Sequence, residues 1–385
     1  MNYREIEDRY STGIYPKREA VIVRGEGAIV WDEEGRRYID CVGGHGSANV
    51  GHCNPAVVSA VEAQMRRLTN CTEIFYNDAR ARCLAKLAEV LPAGLDRIFL
   101  CNSGTEAVEG ALKFARMATG RQEIVAFMRG FHGRTMGSLS ATWDPKYREP
   151  FMPLVPGFKH VPYDNAAAVR EAVNENTAAI LVEVVQGEGG VRPASPGFLA
   201  ELAEISRNSG ALLIVDEIQT GFGRTGKLFA VEHYGLSPDI ICLAKSIAGG
   251  LPMGAFAVGP RVQNVIKTAH GSTFGGNPVA CAASVAAIQF MQDENLPARA
   301  AELGAEFIAS LHAIKSQQVR EVRGLGLMVG VELRQKSTPV LKALMDRGVL
   351  ALPAGPTVVR FLPPLVIDRT DLMHVAAALA DVLAA

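Results

Sequence analysis

The amino-acid sequence predicts an α/β fold, with a large domain built on a mostly parallel sheet and a smaller α+β domain after it. Three observations carry that expectation. Short apolar runs, "RIFLCN", "EIVAFM", "AAILVEVV", "ALLIVDE" and "DIICLA", recur between residues 97 and 244. Helically spaced segments such as "EAVEGALKFARMATG" and "GFLAELAEISRNSG" separate several of them, and strands alternating with helices are the pattern of a parallel sheet. Beyond residue 275 a long helical run gives way to more strands and a last helix.

Residues 1–50 read as strand and turn and are expected to join the smaller domain. Within them "AIVWDEEGRRYIDCV" forms a hairpin with Glu34-Gly35 at its turn. The large domain is expected over 51–285, opening with "PAVVSAVEAQMRRL" and "ARARCLAKLAEVL" at helical spacing. One long helical run starts at "NPVACAASVAAIQFMQDE" and continues through "ARAAELGAEFIASLHAI", with the domain boundary inside it. Residues 286–385 then supply strands in "VREVRGLGLMVGVEL" and "VVRFLPPLVI" and a final helix in "DLMHVAAALADVLAA".

Composition narrows the function classes. Hydrophobic residues at 48% and charged residues at 21% are ordinary for a globular protein. A chain of 385 residues has room for two or three domains and a core that needs no disulfide or metal. A formal net charge of −1 gives no overall attraction to nucleic acid. The polar start has no apolar signal region, and no run of about 18 apolar residues exists to span a membrane. The seven cysteines are scattered without a CxxC pair, so structural zinc is not expected. Reduced thiols in the cytoplasm are.

Ligands of open α/β sheets gather at the carboxyl ends of the strands, so the residues after each apolar run are the candidates. After "RIFLCN", Ser103-Gly104-Thr105 opens a helix whose N–H groups and dipole would welcome a phosphate; an ordinary helix cap is the alternative. After "ALLIVDE", Asp216 is a buried carboxylate that needs a partner. A protonated pyridine nitrogen would serve, as would a structural salt bridge. After "DIICLA", Lys245 is a lysine that could condense with an aldehyde cofactor, or a strand-end lysine reaching for solvent. A phosphate cradle, a carboxylate and a lysine in that order make a pyridoxal-phosphate type of site plausible.

These residues lie within "GHCNP", "NSGTEAVEGALKFAR", "GFHGRT", "VEVVQGEGG", "DEIQTGFGRTG", "PDIICLAKSIAGGLPMGA" and "GSTFGGNP". On these segments the chain resembles the class III, ornithine-type aminotransferases of the PLP-dependent transferase fold type I, over about residues 20 to 365. The resemblance implies pyridoxal 5′-phosphate (PLP) as cofactor and a role for each matching residue. Lys245 is similar to the Schiff-base lysine and proton shuttle, Asp216 to the partner of the pyridine nitrogen, and Gln219 to a donor near the ring hydroxyl. Gly104 and Thr105 resemble phosphate binders and Phe131 the aromatic that stacks on the ring. Thr273 resembles a phosphate ligand reaching in from a second subunit, with Ser272 facing substrate, which implies a homodimer with shared active sites.

The resemblance also suggests the substrates. Arg134 is similar to a clamp on the distal carboxylate, and Arg360 to the arginine that holds the α-carboxylate of glutamate or 2-oxoglutarate. Glu188 resembles a switch that covers Arg360 when the other substrate is bound. His132 is read as a wall residue, and His45 either as an entrance residue or as a satisfied loop histidine. Segments such as "MGSLSATWDPKYREPF" and "EVRGLGLMVGVEL" are most similar to the branch acting on aminoadipate semialdehyde, and also on glutamate semialdehyde, carried by the small acidic protein LysW. N-acetylornithine, free ornithine and a semialdehyde aminomutase reaction are the alternatives. Arg66, Arg67, Arg80, Arg82, Lys146 and Arg148 are candidates for a basic rim facing the carrier, an ordinary solvated surface being the other reading.

Overall fold

The computed structural model describes residues 2–384; Met1 and Ala385, at the ends of the polar start and of the final helical run, lie outside them. At its centre is a seven-stranded sheet, whose strands are numbered here in chain order: β1 Arg97–Cys101, β2 Glu123–Phe127, β3 Phe158–Val161, β4 Thr177–Glu183, β5 Leu212–Asp216, β6 Ile240–Leu243 and β7 Gly254–Val258. They lie in the order β1-β7-β6-β5-β4-β2-β3. All neighbours are parallel except β7, which runs antiparallel to both β6 and β1. Residues of β4, β5, β6 and β7 are buried throughout. That fits strands covered on both faces, and it explains why β4, β5 and β6 read as unbroken apolar runs.

β3 and β7 were not legible as strands. Phe158-Lys159-His160-Val161 is short and half polar, and β7 opens on Gly254-Ala255, residues with little preference for a strand. The start also differs from expectation. Residues Tyr3–Tyr10 form an α-helix with the Asn2 side chain accepting from the Glu5 amide at 3.2 Å. The Arg and Glu content of this segment favours a helix even though none of its residues is buried. The long helical run is likewise two helices, Pro278–Asp293 and Leu296–His312. Asn295 divides them with a left-handed φ of 45°, a conformation asparagine tolerates and a helix interior does not.

The helix Gly104–Thr119 packs on the sheet beside β6 and β7. Ser103 caps its start, Oγ accepting from the Glu106 amide at 3.3 Å, and Gly120 ends it at φ 68°. A Cβ on Gly110 would overlap the buried Phe256 ring of β7. The missing side chain lets the helix lie close to the sheet and fixes where its N-terminus points.

The two ends of the chain meet in space. Strands Ile22–Glu26, Ile29–Asp32 and Arg37–Asp40 form a small sheet that Val349–Leu350 completes, parallel to Ile39 and Asp40. Cys41 donates its amide to the Leu350 carbonyl at 2.8 Å and accepts from the Leu362 amide at 2.8 Å. Strands Val319–Leu325, Met328–Leu333 and Val358–Phe361 form an antiparallel sheet with Leu352–Pro353 at its edge. We infer that residues 1–50 belong with 286–385, and that Pro278–Asp293 carries the chain out of the 51–285 unit.

Gly110→Ala should lower stability by about 2 kcal/mol through overpacking against Phe256, seen as a fall in Tm. An unchanged Tm would show that helix and sheet are free to part.

Candidate active site

The carboxyl ends of five strands open into one cavity of about 1460 Å³. Ser103, Gly104 and Thr105 come from beyond β1, Phe131 and Arg134 from beyond β2, Glu183 from the end of β4, Asp216 from the end of β5 and Lys245 from beyond β6. The C-terminal sheet adds Arg360 and the N-terminal segment adds Tyr15 and His45.

Asp216 is buried and one of its oxygens, Oδ2, lies 2.8 Å from His132 Nδ1, while Oδ1 accepts from the Ile218 amide at 3.0 Å. Burial acts to lower the His132 imidazolium, yet the Asp216 carboxylate outweighs it and raises its pKa. Each Asp216 oxygen keeps a further lone pair for a donor in the cavity. Beside it in parallel register sits Glu183, accepting from the amides of Phe131 at 3.1 Å and Gly187 at 3.3 Å. Burial, with Asp216 adding to it, pushes the Glu183 carboxyl up to about 7.

Lys245 opens a short 3₁₀ turn at φ 47°, a left-handed conformation costly for a residue with a Cβ. The turn is held by the Ser246 hydroxyl, which donates to the Gly46 carbonyl at 2.9 Å. Burial draws the Lys245 ammonium down to about 8; Glu188 opposes that and Arg360 adds to it. The neutral amine, the nucleophilic form, is therefore populated well below the ordinary lysine range.

Arg360 is fully buried and its Nη1 contacts Glu188 Oε1 at 2.7 Å and Gln219 Oε1 at 3.1 Å. Burial works against the Glu188 carboxylate, but Arg360 holds its pKa below the usual value. The Nε of Arg360 has no partner among the described residues. A buried donor without an acceptor is costly, so the arginine has capacity for another anion. Gln219 lies in a run of turns instead of a regular helix, and its oxygen faces Arg360, leaving the NH₂ for other partners.

Gly104 and Thr105 begin a 16-residue helix, and Thr105 Oγ1 bonds the hydroxyls of Ser138 at 2.6 Å and Thr135 at 2.8 Å. Gly104 lies against Ile218, 2.9 Å from the place a Cβ would take. Arg134 is exposed and stands among aromatic rings, 5.7 Å from Phe131 and 5.3 Å from Tyr147, with Nη1 3.3 Å from the Tyr15 hydroxyl. Ser272 and Thr273 are not in the cavity lining. Ser272 Oγ instead accepts from Asn102 Nδ2 at 3.1 Å, and Thr273 is exposed. An aldehyde-reactive amine, a buried carboxylate, an aromatic face and a helix N-terminus around one cavity fit an aromatic aldehyde bearing a phosphate.

The model for aminotransferase class-III matches residues 14–383. The chain belongs to the class-III aminotransferases. This aminotransferase is 54% identical to a LysW-aminoadipate semialdehyde transaminase of Deinococcus radiodurans, over 98% of this chain and 89% of that one. It is 49% identical to an acetylornithine aminotransferase of Methanopyrus kandleri, over 100% of both chains. Among solved structures it is similar to the ornithine aminotransferase of Toxoplasma gondii, with a TM-score of 0.95 and 37% identity over 99% of this chain and 93% of that one.

Three parts of the site add to the sequence reading or were missed by it. His132 lines the cavity wall as expected and in addition bonds Asp216 directly. Glu183 carries the same signal that marked Asp216, a carboxylate ending a buried strand, and went unused. None of the six arginines and lysines put forward as a rim lines the cavity among the described residues; besides Lys245 and Arg360 its basic lining is Lys17, Arg18, Arg134 and Lys342. Arg80 is buried, its guanidinium donating to the carbonyls of Gly276, Phe75 and Cys71. Its charge is committed to holding the chain.

In the cofactor-free protein, reductive methylation of Lys245 should rise with pH about a midpoint near 8. Arg360→Leu should move that midpoint up and Glu188→Gln should move it down, following the sign of each charge. A midpoint at the free-lysine value of about 10.4 would show that the amine is solvated.

Proposed function

We propose that this aminotransferase exchanges an amino group between glutamate and the terminal semialdehyde of aminoadipate attached to a small acidic carrier protein of the LysW kind, yielding 2-oxoglutarate and carrier-linked lysine. The carrier-linked form of glutamate semialdehyde is a second substrate of the same reading, which places the enzyme in cytoplasmic lysine and arginine biosynthesis. The Arg360–Glu188 pair carries the two-substrate reading. With Glu188 over Arg360 the charges cancel and a substrate lacking an α-carboxylate is tolerated. With Glu188 withdrawn, the guanidinium can take a carboxylate in bidentate fashion. An isomerase that needs no external 2-oxo acid would have no use for that arrangement.

PLP is the cofactor the site residues fit; when bound it supplies an aldehyde that carries the amino group and a ring that accepts electrons. Lys245 Nζ is the group that would hold the aldehyde between substrates, and its neutral amine would be the base that moves the proton at the amine-bearing carbon. Asp216, with His132 behind it, accepts the N–H of a protonated pyridine, while the Gln219 NH₂ donates to the ring hydroxyl. Gly104 and Thr105 would present amides to the phosphate, Phe131 would offer its face to the ring, and Arg134 would take the distal carboxylate of the substrate. Thr273 supplies the last phosphate contact and Ser272 a substrate contact from a second copy of the chain. Exposed Ile74, Phe75, Tyr76 and Phe274 support such a homodimer, since monomers seldom leave this much apolar surface in water.

The likeness to the Deinococcus protein supports the carrier-linked substrate, and that to the Methanopyrus protein supports N-acetylornithine as the alternative; free ornithine is a third. Lys245→Ala should retain PLP through gel filtration and lose turnover by orders of magnitude; retained turnover would refute the assignment. Comparing kcat/KM for carrier-linked lysine and N-acetylornithine decides the substrate. A preference of about a hundredfold, roughly 2.7 kcal/mol, for the carrier-linked donor establishes that role. The reverse preference makes N-acetylornithine the substrate.

A further inference from the structure

The loop that bears Glu188 is held from both sides by arginines of one sheet. The antiparallel register of Val319–Leu325, Met328–Leu333 and Val358–Phe361 pairs Arg323 with Gly330 and Gly330 with Arg360. Directly opposed residues project to the same face, so the two arginines flank a gap above the glycine. Val191 fills it, its Cβ 3.0 Å from the place a Cβ on Gly330 would occupy. On one side Arg360 takes Glu188 at 2.7 Å. On the other, Arg323 Nε donates to the carbonyls of Gly190 at 2.8 Å and Val191 at 3.1 Å.

Arg323 is itself fixed. Its Nη1 lies 2.7 Å from the buried carboxylate of Glu332, which also takes Arg192 at 3.1 Å. Val191 has a φ of 53°, a left-handed region that a β-branched side chain enters only at a cost. Such a conformation persists only where the surroundings impose it, and the two bonds from Arg323 and the contact over Gly330 do so here.

We propose that Arg323 is the positioning residue of the Glu188 gate: by holding the Gly190 and Val191 carbonyls it sets how readily Glu188 leaves Arg360, and so how the site divides between its two amino-group substrates. This rests on the gate reading above. Without Arg323 the loop loses two hydrogen bonds and the closed arrangement loses population. A dicarboxylate then meets an available Arg360 more often, and its apparent affinity rises by the fraction of open gate regained. The substrate with only a terminal amine meets an uncancelled guanidinium and fares worse.

Calorimetric binding of glutarate to the holoenzyme tests this, with single-turnover half-reactions of glutamate and N-acetylornithine beside it. In Arg323→Ala the glutarate Kd should fall about fivefold, and the glutamate half-reaction should gain on the other. Loss of a nearby cation alone would weaken glutarate binding, so the sign separates the gate from bulk electrostatics. Gly330→Ala pushes Val191 outward with no change of charge. It should act in the same direction, and it carries the test if Arg323→Ala does not fold. Arg323→Lys should fall between. Unchanged or weaker glutarate binding, or an equal decline of both half-reactions, overturns the role. Glu188→Gln distinguishes the two failures. If it alone tightens glutarate, the gate stands and Arg323 does not set it. If it too changes nothing, the gate falls and the role of Arg323 falls with it.

Discussion

A strand buried on both faces can place a polar group only where it ends, and that constraint organises this molecule. β4, β5 and β6 are apolar along their length, so Glu183, Asp216 and Lys245 are concentrated at one rim of the sheet. Crowding ionisable groups into a low-dielectric mouth is what gives them unusual properties. Lys245 is drawn towards its neutral form by the same burial that pushes Glu183 towards its acid form. Asp216 is held in place by His132, which bonds one of its oxygens without closing off the carboxylate.

The rim is only half of the site. Arg360, the cation that counters Glu188, comes from a strand of the C-terminal sheet, more than a hundred residues beyond Lys245 in the sequence. Arg224 ties the two parts together in the core, donating to the Leu327 and Pro363 carbonyls at 3.0 and 2.6 Å and to Asn49 Oδ1 at 2.5 Å. A buried guanidinium needs such a set of acceptors to be tolerated.

Much of this was legible in the chain. Five of the seven central strands were plain as short apolar runs, three of them, β4, β5 and β6, unbroken because they are buried on both faces, and the residues after them were candidates for the reason just given. β7 escaped because its Gly254 and Ala255 are small for a reason no periodicity reveals: Gly254 lies against the Ser103 backbone. The break at Asn295 escaped because apolar spacing continues across it, while the turn is set by one backbone angle. The His132–Asp216 contact and the seating of Val191 between two arginines join residues far apart in sequence. Local pattern carries no information about such register, and only the fold supplies it.

The small sheet that joins the chain's ends bears on the order in which the molecule can be assembled. Arg37–Asp40 leaves the ribosome more than three hundred residues before Val349–Leu350, which pairs with it. Until then that strand has an open edge, the kind of surface on which chains associate wrongly. The nascent protein therefore carries an exposed seam while more than three hundred further residues are made, and Arg360 reaches the cavity at about the time the seam closes. Completion of the binding pocket and protection against misassembly are the same late event.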